Sequence, residues 1–292
     1  MNLEFIAGTT AEIELPAPTA AIAQSCFAFS LHKAGSSLLH SMLHSYCKQL
    51  GLSYLDVPTT ISATGENVVN LTEESGARLF SGEGYGYWGW RNYARCLNRV
   101  DFSRTRNIFL VRDPRDRLVS QFFSFGRSHA IPESGKGRQI ALESRREAAA
   151  MNIDEYALSK ISWIDLHWRL YHEHLDPATT RLYRYEDVIF KKEEWLTDIV
   201  QFFDFPYAAD VVRTIATVHD VLPTDEDPDA HIRQVKPGNH KAHLSASTIE
   251  SLDRELNAYL RAYGYFQPEE YGRRLVFAQQ GADATRAFMA CR

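Results

Sequence analysis

Residues 25–50, SCFAFSLHKAGSSLLHSMLHSYCKQL, predict a strand, a short polar loop and a helix in direct succession. Residues 26–31 form a mostly apolar run of strand length, and residues 32–37 (HKAGSS) form the loop. Apolar side chains then recur at helical spacing, at Leu38, Leu39, Met42, Leu43, Tyr46 and Leu50. Because a loop between a strand end and a helix start exposes backbone N–H groups, the stretch predicts an anion-binding turn.

The side chains of this loop suit an anion. Lys33 adds a positive charge, Gly35 lets the backbone approach a ligand closely, and Ser36 and Ser37 add hydroxyl donors. An ordinary capped turn with an incidental lysine explains the loop equally well when it is considered alone. The loop is not a Walker A motif, because its lysine comes two residues before the only glycine.

Residues 106–112 (RNIFLVR) predict a second strand that leads into a helix. The apolar centre of this run is continuous, as expected for a parallel sheet covered on both faces. Pro114 suits the first turn of the helix that follows. Ser120 lies eight positions after Arg112. Six helical residues rise about 9 Å, so one anion could contact both side chains.

Four segments of the chain resemble motifs of sulfotransferases that use 3′-phosphoadenosine 5′-phosphosulfate (PAPS). Residues 32–39, HKAGSSLL, resemble the 5′-phosphosulfate loop P-K-S-G-T-T-x-L, and residues 112–120, RDPRDRLVS, resemble the 3′-phosphate motif R-x-P-x-D-x-x-x-S. Residues 181–187, RLYRYED, resemble the Y-E-D-L segment, whose tyrosine lies near the base. Residues 233–244, RQVKPGNHKAHL, resemble the closing loop R-K-G-x-x-G-D-W-K-x-x-F.

The resemblance implies a set of nucleotide-binding residues. The closing loop departs from the family pattern, because Gln234 replaces a lysine, Val235 replaces a glycine, and Asn239 and His240 replace Asp-Trp. The glutamine removes one positive charge, and the valine changes the backbone freedom of the loop. The implied contacts with PAPS are Lys33, Ala34, Gly35, Ser36, Ser37, Leu38, Arg112, Ser120, Tyr185, Arg233, Gln234 and Val235.

The resemblance also implies a reaction and a fold. An acceptor oxygen or nitrogen attacks the sulfur of PAPS in line, and 3′-phosphoadenosine 5′-phosphate (PAP) leaves. Lys33 would stabilise the charge on the leaving phosphate oxygen, and the reaction requires no metal. The implied fold is a single α/β domain with a central parallel sheet flanked by helices, similar to nucleotide kinases. We expect an N-terminal arm at residues 1–24, the domain at 25–264 and a tail at 265–292.

The catalytic base is assigned less directly. Cytosolic members of the family carry a K-T-H segment at a strand end, and this chain has none. If residues 78–80 form that strand, Glu83 takes the place of the histidine, and aromatic neighbours would raise the pKa of its carboxyl group. Asp56, at the end of an earlier predicted strand, is the second candidate. His40 and His44 are expected at the surface or behind the reacting groups.

The acceptor is expected to be a small or medium organic molecule that bears a hydroxyl or an amine. Residues 81–90, SGEGYGYWGW, predict a glycine and aromatic loop that lines its pocket. We place the acceptor between residues 85–93 and residues 126–150. The latter segment is either a mobile flap or helix over the site or a solvated insertion.

Composition narrows the function classes. The 292 residues carry a net charge of −5, which argues against general nucleic-acid binding. The four cysteines, Cys26, Cys47, Cys96 and Cys291, show no paired spacing, which favours free thiols in a reducing compartment. Neither a secretory leader nor an apolar run of membrane-spanning length is found. We therefore expect a cytoplasmic protein, and the sequence does not indicate an oligomeric state.

Two other functions remain open at this stage. The first is a phosphotransferase similar to nucleotide kinases, and the missing Walker A order argues against it. The second is a protein that binds nucleotide through the same fold and transfers nothing. Retention of Lys33 argues against that alternative.

Overall fold

The computed structural model describes residues 1–128, 131, 133, 135–221, 223 and 234–265. The described chain contains a two-stranded hairpin and a five-stranded parallel sheet, in the spatial order β4-β5-β3-β6-β7. The hairpin consists of β1 (Asn2–Glu4) and β2 (Thr10–Glu12). The sheet consists of β3 (Cys26–Ser30), β4 (Tyr54–Asp56), β5 (Gly86–Trp90), β6 (Arg106–Val111) and β7 (Thr180–Arg184).

Helices flank the sheet, and among the described residues none is both long and apolar enough to cross a membrane. A π-helical segment, Ser124–Ser128, extends the fourth helix. The helices are α1 (Ser36–Leu50), α2 (Val57–Ser62), α3 (Glu73–Leu79), α4 (Pro114–Phe123), α5 (Gly135–Ala150), α6 (Ile153–Ser159), α7 (Ile161–His174), α8 (Tyr185–Val188), α9 (Lys192–Phe202), α10 (Ala209–Val218), α11 (His240–His243), α12 (Ala246–Glu255) and α13 (Asn257–Ala262).

The predicted α/β fold with a parallel sheet is confirmed. Strands β3 and β6 pair in parallel from Cys26 opposite Arg106 to Ser30 opposite Leu110. All five residues of β3 are buried, as are five of the six in β6. Continuous burial on both faces explains why these two strands carry unbroken apolar runs rather than an alternating pattern.

The segment predicted as a glycine and aromatic loop forms strand β5 instead. Tyr87, Trp88 and Trp90 are at most 1% exposed and fill the core beside the sheet. A Cβ atom on Gly86 would lie 2.1 Å from the Trp88 ring, so the glycine makes room for the indole. The prediction of a pocket wall is therefore wrong, because neighbouring elements cover both faces of this strand.

The strand predicted at residues 78–80 is also wrong, because α3 ends at Leu79. Thr72 caps this helix by accepting the Ser75 N–H at 3.2 Å. The helical regions at residues 153–174 and 246–262 are each divided into two helices. The first division falls at Lys160, where φ is −98° and ψ is 1°, outside the helical region.

The N-terminal hairpin packs on the main core. Leu3, Phe5 and Ile13 are at most 5% exposed and belong to the same apolar cluster as the central strands. Phe5 also forms a β-bridge with Leu71. Residues 266–292 lie outside the described residues, so the proposed domain limits stay predictions.

We expect Gly76→Ala to destabilise the fold. Gly76 lies in α3, and an added Cβ would come within 2.2 Å of the Cys96 carbonyl oxygen. Relief of such a backbone clash costs about 1–3 kcal/mol of unfolding free energy, measurable by urea or thermal unfolding. Gly82→Ala is the matched control, because no heavy atom would lie within 4 Å of its Cβ. Equal stability of the two variants would contradict this account.

Candidate functional site

The five parallel strands end at one edge of the sheet, and a functional group follows each of them. In spatial order from β4 to β7, these groups are Asp56, Arg91, the Lys33 loop, Arg112 and Tyr185. A cavity of about 1000 Å³ lies at this edge. Ligands of open parallel sheets bind at this edge, since the polar loops and helix starts converge there.

The loop between β3 and α1 presents unbonded N–H groups to the cavity. The Leu39 N–H makes the first bond of the helix, 3.1 Å from the Gly35 carbonyl oxygen. The N–H groups of Ser36 and Ser37 therefore have no partner within the helix. The first turn contains no acidic residue, and Gly35 provides no capping side chain. These features favour an anion at the helix start.

The backbone of this loop is held in an uncommon conformation. Lys33 has φ 64° and Gly35 has φ 95°, both in the left-handed region. A Cβ on Gly35 would lie 2.9 Å from the Tyr185 ring, so both the torsion and the contact require glycine. Ala34 is fully buried behind the loop, and its N–H donates to the Leu31 carbonyl oxygen at 3.0 Å.

Arg112 lies beside the loop as an enclosed cation. Its side chain is 6% exposed, its Nη1 donates to the Lys33 carbonyl oxygen at 3.4 Å, and its guanidinium stacks 4.3 Å from the Tyr185 ring centre. Its Nε has no hydrogen-bond partner among the described residues. Burial lowers the pKa of Arg112, but Tyr185 and Asp116 raise it further, so the group stays charged. The orphaned donor and the charge suit an anionic ligand.

Asp116 fixes the closing loop against α4. Its buried carboxylate accepts the Gly238 N–H at 2.7 Å, the His240 N–H at 2.9 Å and a hydrogen bond from His240 Nδ1 at 2.6 Å. Burial alone would raise its pKa, but the His240 hydrogen bond and Arg112 bring the pKa down to about 2. The loop that contains residues 234–240 is therefore anchored beside Arg112.

Most of the predicted nucleotide contacts come together in the structure. Val235 is 9% exposed, and its carbonyl oxygen accepts the Tyr185 hydroxyl at 3.0 Å, so the valine is compatible with a closed loop. Arg233 lies outside the described residues. The predicted residues that line the cavity are Lys33, Gly35, Ser36, Ser37, Leu38, Arg112, Ser120, Tyr185, Gln234 and Val235.

Glu83 is placed at the wrong edge of the sheet for a catalytic base. It is exposed and precedes β5, whereas the cavity lies where the strands end. With Gln24 and Phe27 it lines a separate cleft of about 790 Å³ near the strand starts. The error follows from the assignment of a strand to residues 78–80, which are the end of a helix.

Asp56 lies at the correct edge. It ends β4 and caps α2 by accepting the Thr59 N–H at 3.1 Å. Pro58 and Thr59, which follow it, line the cavity. A Cβ on Gly89 would lie 2.0 Å from Asp56 Oδ1, so the carboxylate contacts the end of β5.

The two histidines of α1 differ in burial. His40 is 6% exposed rather than at the surface, and burial, with a smaller effect of Arg91, lowers its pKa to about 3. It is therefore neutral at physiological pH. His44 is exposed, and its Nδ1 lies 2.9 Å from the Tyr54 hydroxyl oxygen. Neither histidine lines the cavity.

Arg91 is a cavity residue that the sequence analysis missed. Its Nε donates to Ser36 Oγ at 3.2 Å, and its Nη1 donates to the Gly89 carbonyl oxygen at 3.3 Å. It is the only residue of 85–93 that lines the cavity. A charged residue directly after an apolar run could have indicated this position, but the run was interpreted as a loop.

The family model of the sulfotransferase domain matches residues 28–254. The chain belongs to this family. Enzymes of the sulfotransferase family transfer sulfuryl groups, and the recognition of the family from the sequence is confirmed. A comparison with curated protein sequences finds no significant match.

The comparison with solved structures finds the following matches. The mouse sulfotransferase SULT7A1 complexed with PAP is 13% identical, with a TM-score of 0.53, and the match covers 83% of this chain and 86% of that one. Retinol dehydratase in complex with retinol and PAP is 14% identical, with a TM-score of 0.42 and coverages of 86% and 83%. At 13% identity, the first similarity establishes a shared fold only.

The burial of Glu186 should make the stability of this sulfotransferase domain depend on pH. The Glu186 carboxylate accepts the Asp113 N–H at 2.9 Å and the Tyr265 hydroxyl at 2.8 Å. Burial of the carboxyl group raises its pKa from 4.5 to about 7. The folded protein therefore holds this proton more tightly than the unfolded chain does, and the wild type loses stability as the pH rises through this window.

We expect Glu186→Gln to remove the loss of stability that the wild type shows as the pH rises. Relative to the wild type, the variant should gain on the order of 1–3 kcal/mol in unfolding free energy between pH 5 and pH 8. The measurement is urea unfolding at both pH values, with exposed Glu194→Gln as the control. If the difference in unfolding free energy between variant and wild type stays constant from pH 5 to pH 8, Glu186 does not titrate in this range.

Proposed function

We propose that this sulfotransferase takes its sulfuryl group from PAPS, releases PAP and transfers the group to a hydroxyl or amine of a small organic acceptor. One observation supports this most strongly: the Lys33 loop, Arg112 and Tyr185 lie around a single cavity. Two positively charged sites that could each bind an anion, together with an aromatic ring, suit a nucleotide with charged groups at its 5′ and 3′ positions.

The residues of the cavity fit each part of PAPS. The 5′-phosphosulfate of PAPS would bind at the start of α1, where N–H groups, two hydroxyls and Lys33 converge. The 3′-phosphate suits Arg112, whose Nε is a buried donor without a partner among the described residues, together with Ser120. The two sites adjoin, since Arg112 donates to the Lys33 carbonyl oxygen. Tyr185 would contact the adenine base.

The chain's own groups have distinct roles in this proposal. PAPS, when bound, supplies an activated sulfuryl group on a phosphate. Lys33 and the N–H groups of α1 stabilise negative charge that develops at the start of the helix. Asp56 is the candidate carboxylate at the correct edge of the sheet, and it would accept the proton of the acceptor through water, because it does not itself line the cavity. Gln234 and Val235 close the nucleotide side of the cavity.

Lys33→Ala should lower kcat by roughly 10²–10³-fold, the usual effect of losing one group that stabilises developing charge. Affinity for PAP should change much less, because the N–H groups and Arg112 remain. The measurements are sulfuryl transfer from PAPS and calorimetry with PAP. Lys48→Ala, at the exposed end of the same helix, is the control. Turnover close to that of Lys48→Ala would exclude this role.

Arg112→Ala should weaken PAP binding by at least about tenfold, since a charge-assisted hydrogen bond contributes about 1.5–3 kcal/mol. Binding of adenosine 5′-phosphate, which lacks the 3′-phosphate, should change less. Ser120→Ala is the milder variant, and it should weaken PAP binding by a smaller factor while affecting adenosine 5′-phosphate less. Calorimetry in which the wild type binds the two nucleotides equally would reject the 3′-phosphate site, and with it PAPS as the donor.

A further inference from the structure

The cavity continues beyond the proposed nucleotide site. Arg112 and Tyr185 follow β6 and β7, on one side of central strand β3. On the other side lie β5 and β4, followed by Arg91 and helix α2. Residues from both sides line the same cavity. If the nucleotide lies over β3, β6 and β7, the acceptor lies over β5 and β4.

Several polar side chains line this acceptor side, together with Leu38, Pro58 and Ala63. Helix α2 and the turn after it provide Thr59, Ser62 and Asn67, and α1 provides Ser41. The aromatic residues of β5 are buried in the core and do not line the cavity. Among the described lining residues there is neither an aspartate nor a glutamate. Hydroxyl and amide groups suit a hydroxylated ligand better than a flat apolar one.

Arg91 is the cation of the acceptor side. Two of its nitrogens are fixed, Nε on Ser36 Oγ and Nη1 on the Gly89 carbonyl oxygen. Its Nη2 makes no hydrogen bond within the described chain, and the residue lines the cavity. Burial lowers the pKa of Arg91 while Asp56 raises it, although the two make no ion pair. A largely buried guanidinium that lacks a carboxylate partner is stabilised by an anionic ligand.

We propose that the acceptor is a small polyhydroxylated acid, and that Arg91 binds its acidic group. This inference rests on the proposed function and narrows its acceptor class. The fixed, planar guanidinium suits a carboxylate or a phosphate, and the polar side chains of the acceptor side bind the remaining hydroxyls. One acceptor hydroxyl forms a bond to sulfur as the bond from sulfur to the 5′-phosphate oxygen breaks. The hydroxyl proton passes through water to Asp56, which leaves a sulfate ester and PAP.

The test compares three acceptors with PAPS as donor. Glucuronate carries hydroxyls and a carboxylate, methyl glucoside carries hydroxyls without a charge, and 4-nitrophenol is flat and aromatic with a single hydroxyl. We expect kcat/KM for glucuronate to exceed that for each of the others at least tenfold. Arg91→Met should remove this advantage over methyl glucoside, mainly by raising KM, and change the Kd for PAP much less. Arg91→Lys should retain part of the advantage.

Arg95→Met is the matched control, because Arg95 is exposed and does not line the cavity. Preference for 4-nitrophenol, or no transfer to glucuronate, would overturn the inference. An equal loss with glucuronate and methyl glucoside in Arg91→Met would also overturn it and assign Arg91 to the donor side. Should Arg91→Met fail to fold, two other results test the inference: the ratio of kcat/KM for glucuronate to kcat/KM for methyl glucoside in the wild type, and the same ratio in Arg91→Lys. PAP calorimetry on the wild type separates failure of the proposed function from failure of this inference.

Discussion

The carboxylate of Asp116 holds together the parts of the proposed nucleotide site that are distant in sequence. It is buried in α4, and it accepts hydrogen bonds from Gly238 and His240 while lying 3.8 Å from Arg112. A buried carboxylate is stable only when its hydrogen-bonding capacity is filled, so the closing loop and the strand end are constrained by one group. His240 takes part with both its N–H and its ring, so a histidine can stabilise the closing loop where the family pattern has another residue.

A second constraint is the concentration of positive charge along one sheet edge. Lys33, Arg91 and Arg112 follow three neighbouring strands, and the described walls of the cavity contain no carboxylate. The overall charge of the chain is −5, so this is a local arrangement rather than a property of the whole surface. Partial burial strengthens each cation's interaction with a bound anion. At Arg91, where burial lowers the pKa, an anionic ligand should relieve an electrostatic cost that the folded protein carries.

The site also contains backbone and packing features that serve no evident stabilising purpose. Lys33 has a left-handed backbone, Gly35 abuts Tyr185, and Glu186 is enclosed so that its pKa rises to about 7. The left-handed backbone of Lys33 and the raised pKa of Glu186 each cost stability, and both lie within or next to the proposed anion sites. Tyr185 connects the parts of the site, since it contacts the loop through Gly35, stacks on Arg112 and donates to Val235.

The sequence by itself determined the parts of the site that are contiguous in the chain. The Lys33 loop, the Arg112 to Ser120 unit and the strand before each could be predicted, because local chain geometry alone places their groups together. The sequence did not determine Arg91, the edge on which Glu83 lies or the burial of Trp88 and Trp90. A short run rich in glycine and aromatic residues is compatible with a loop or with a strand covered on both faces. Only the tertiary structure decides between them, because neighbouring strands and helices supply the burial that makes residues 86–90 a strand and carries Arg91 into the cavity.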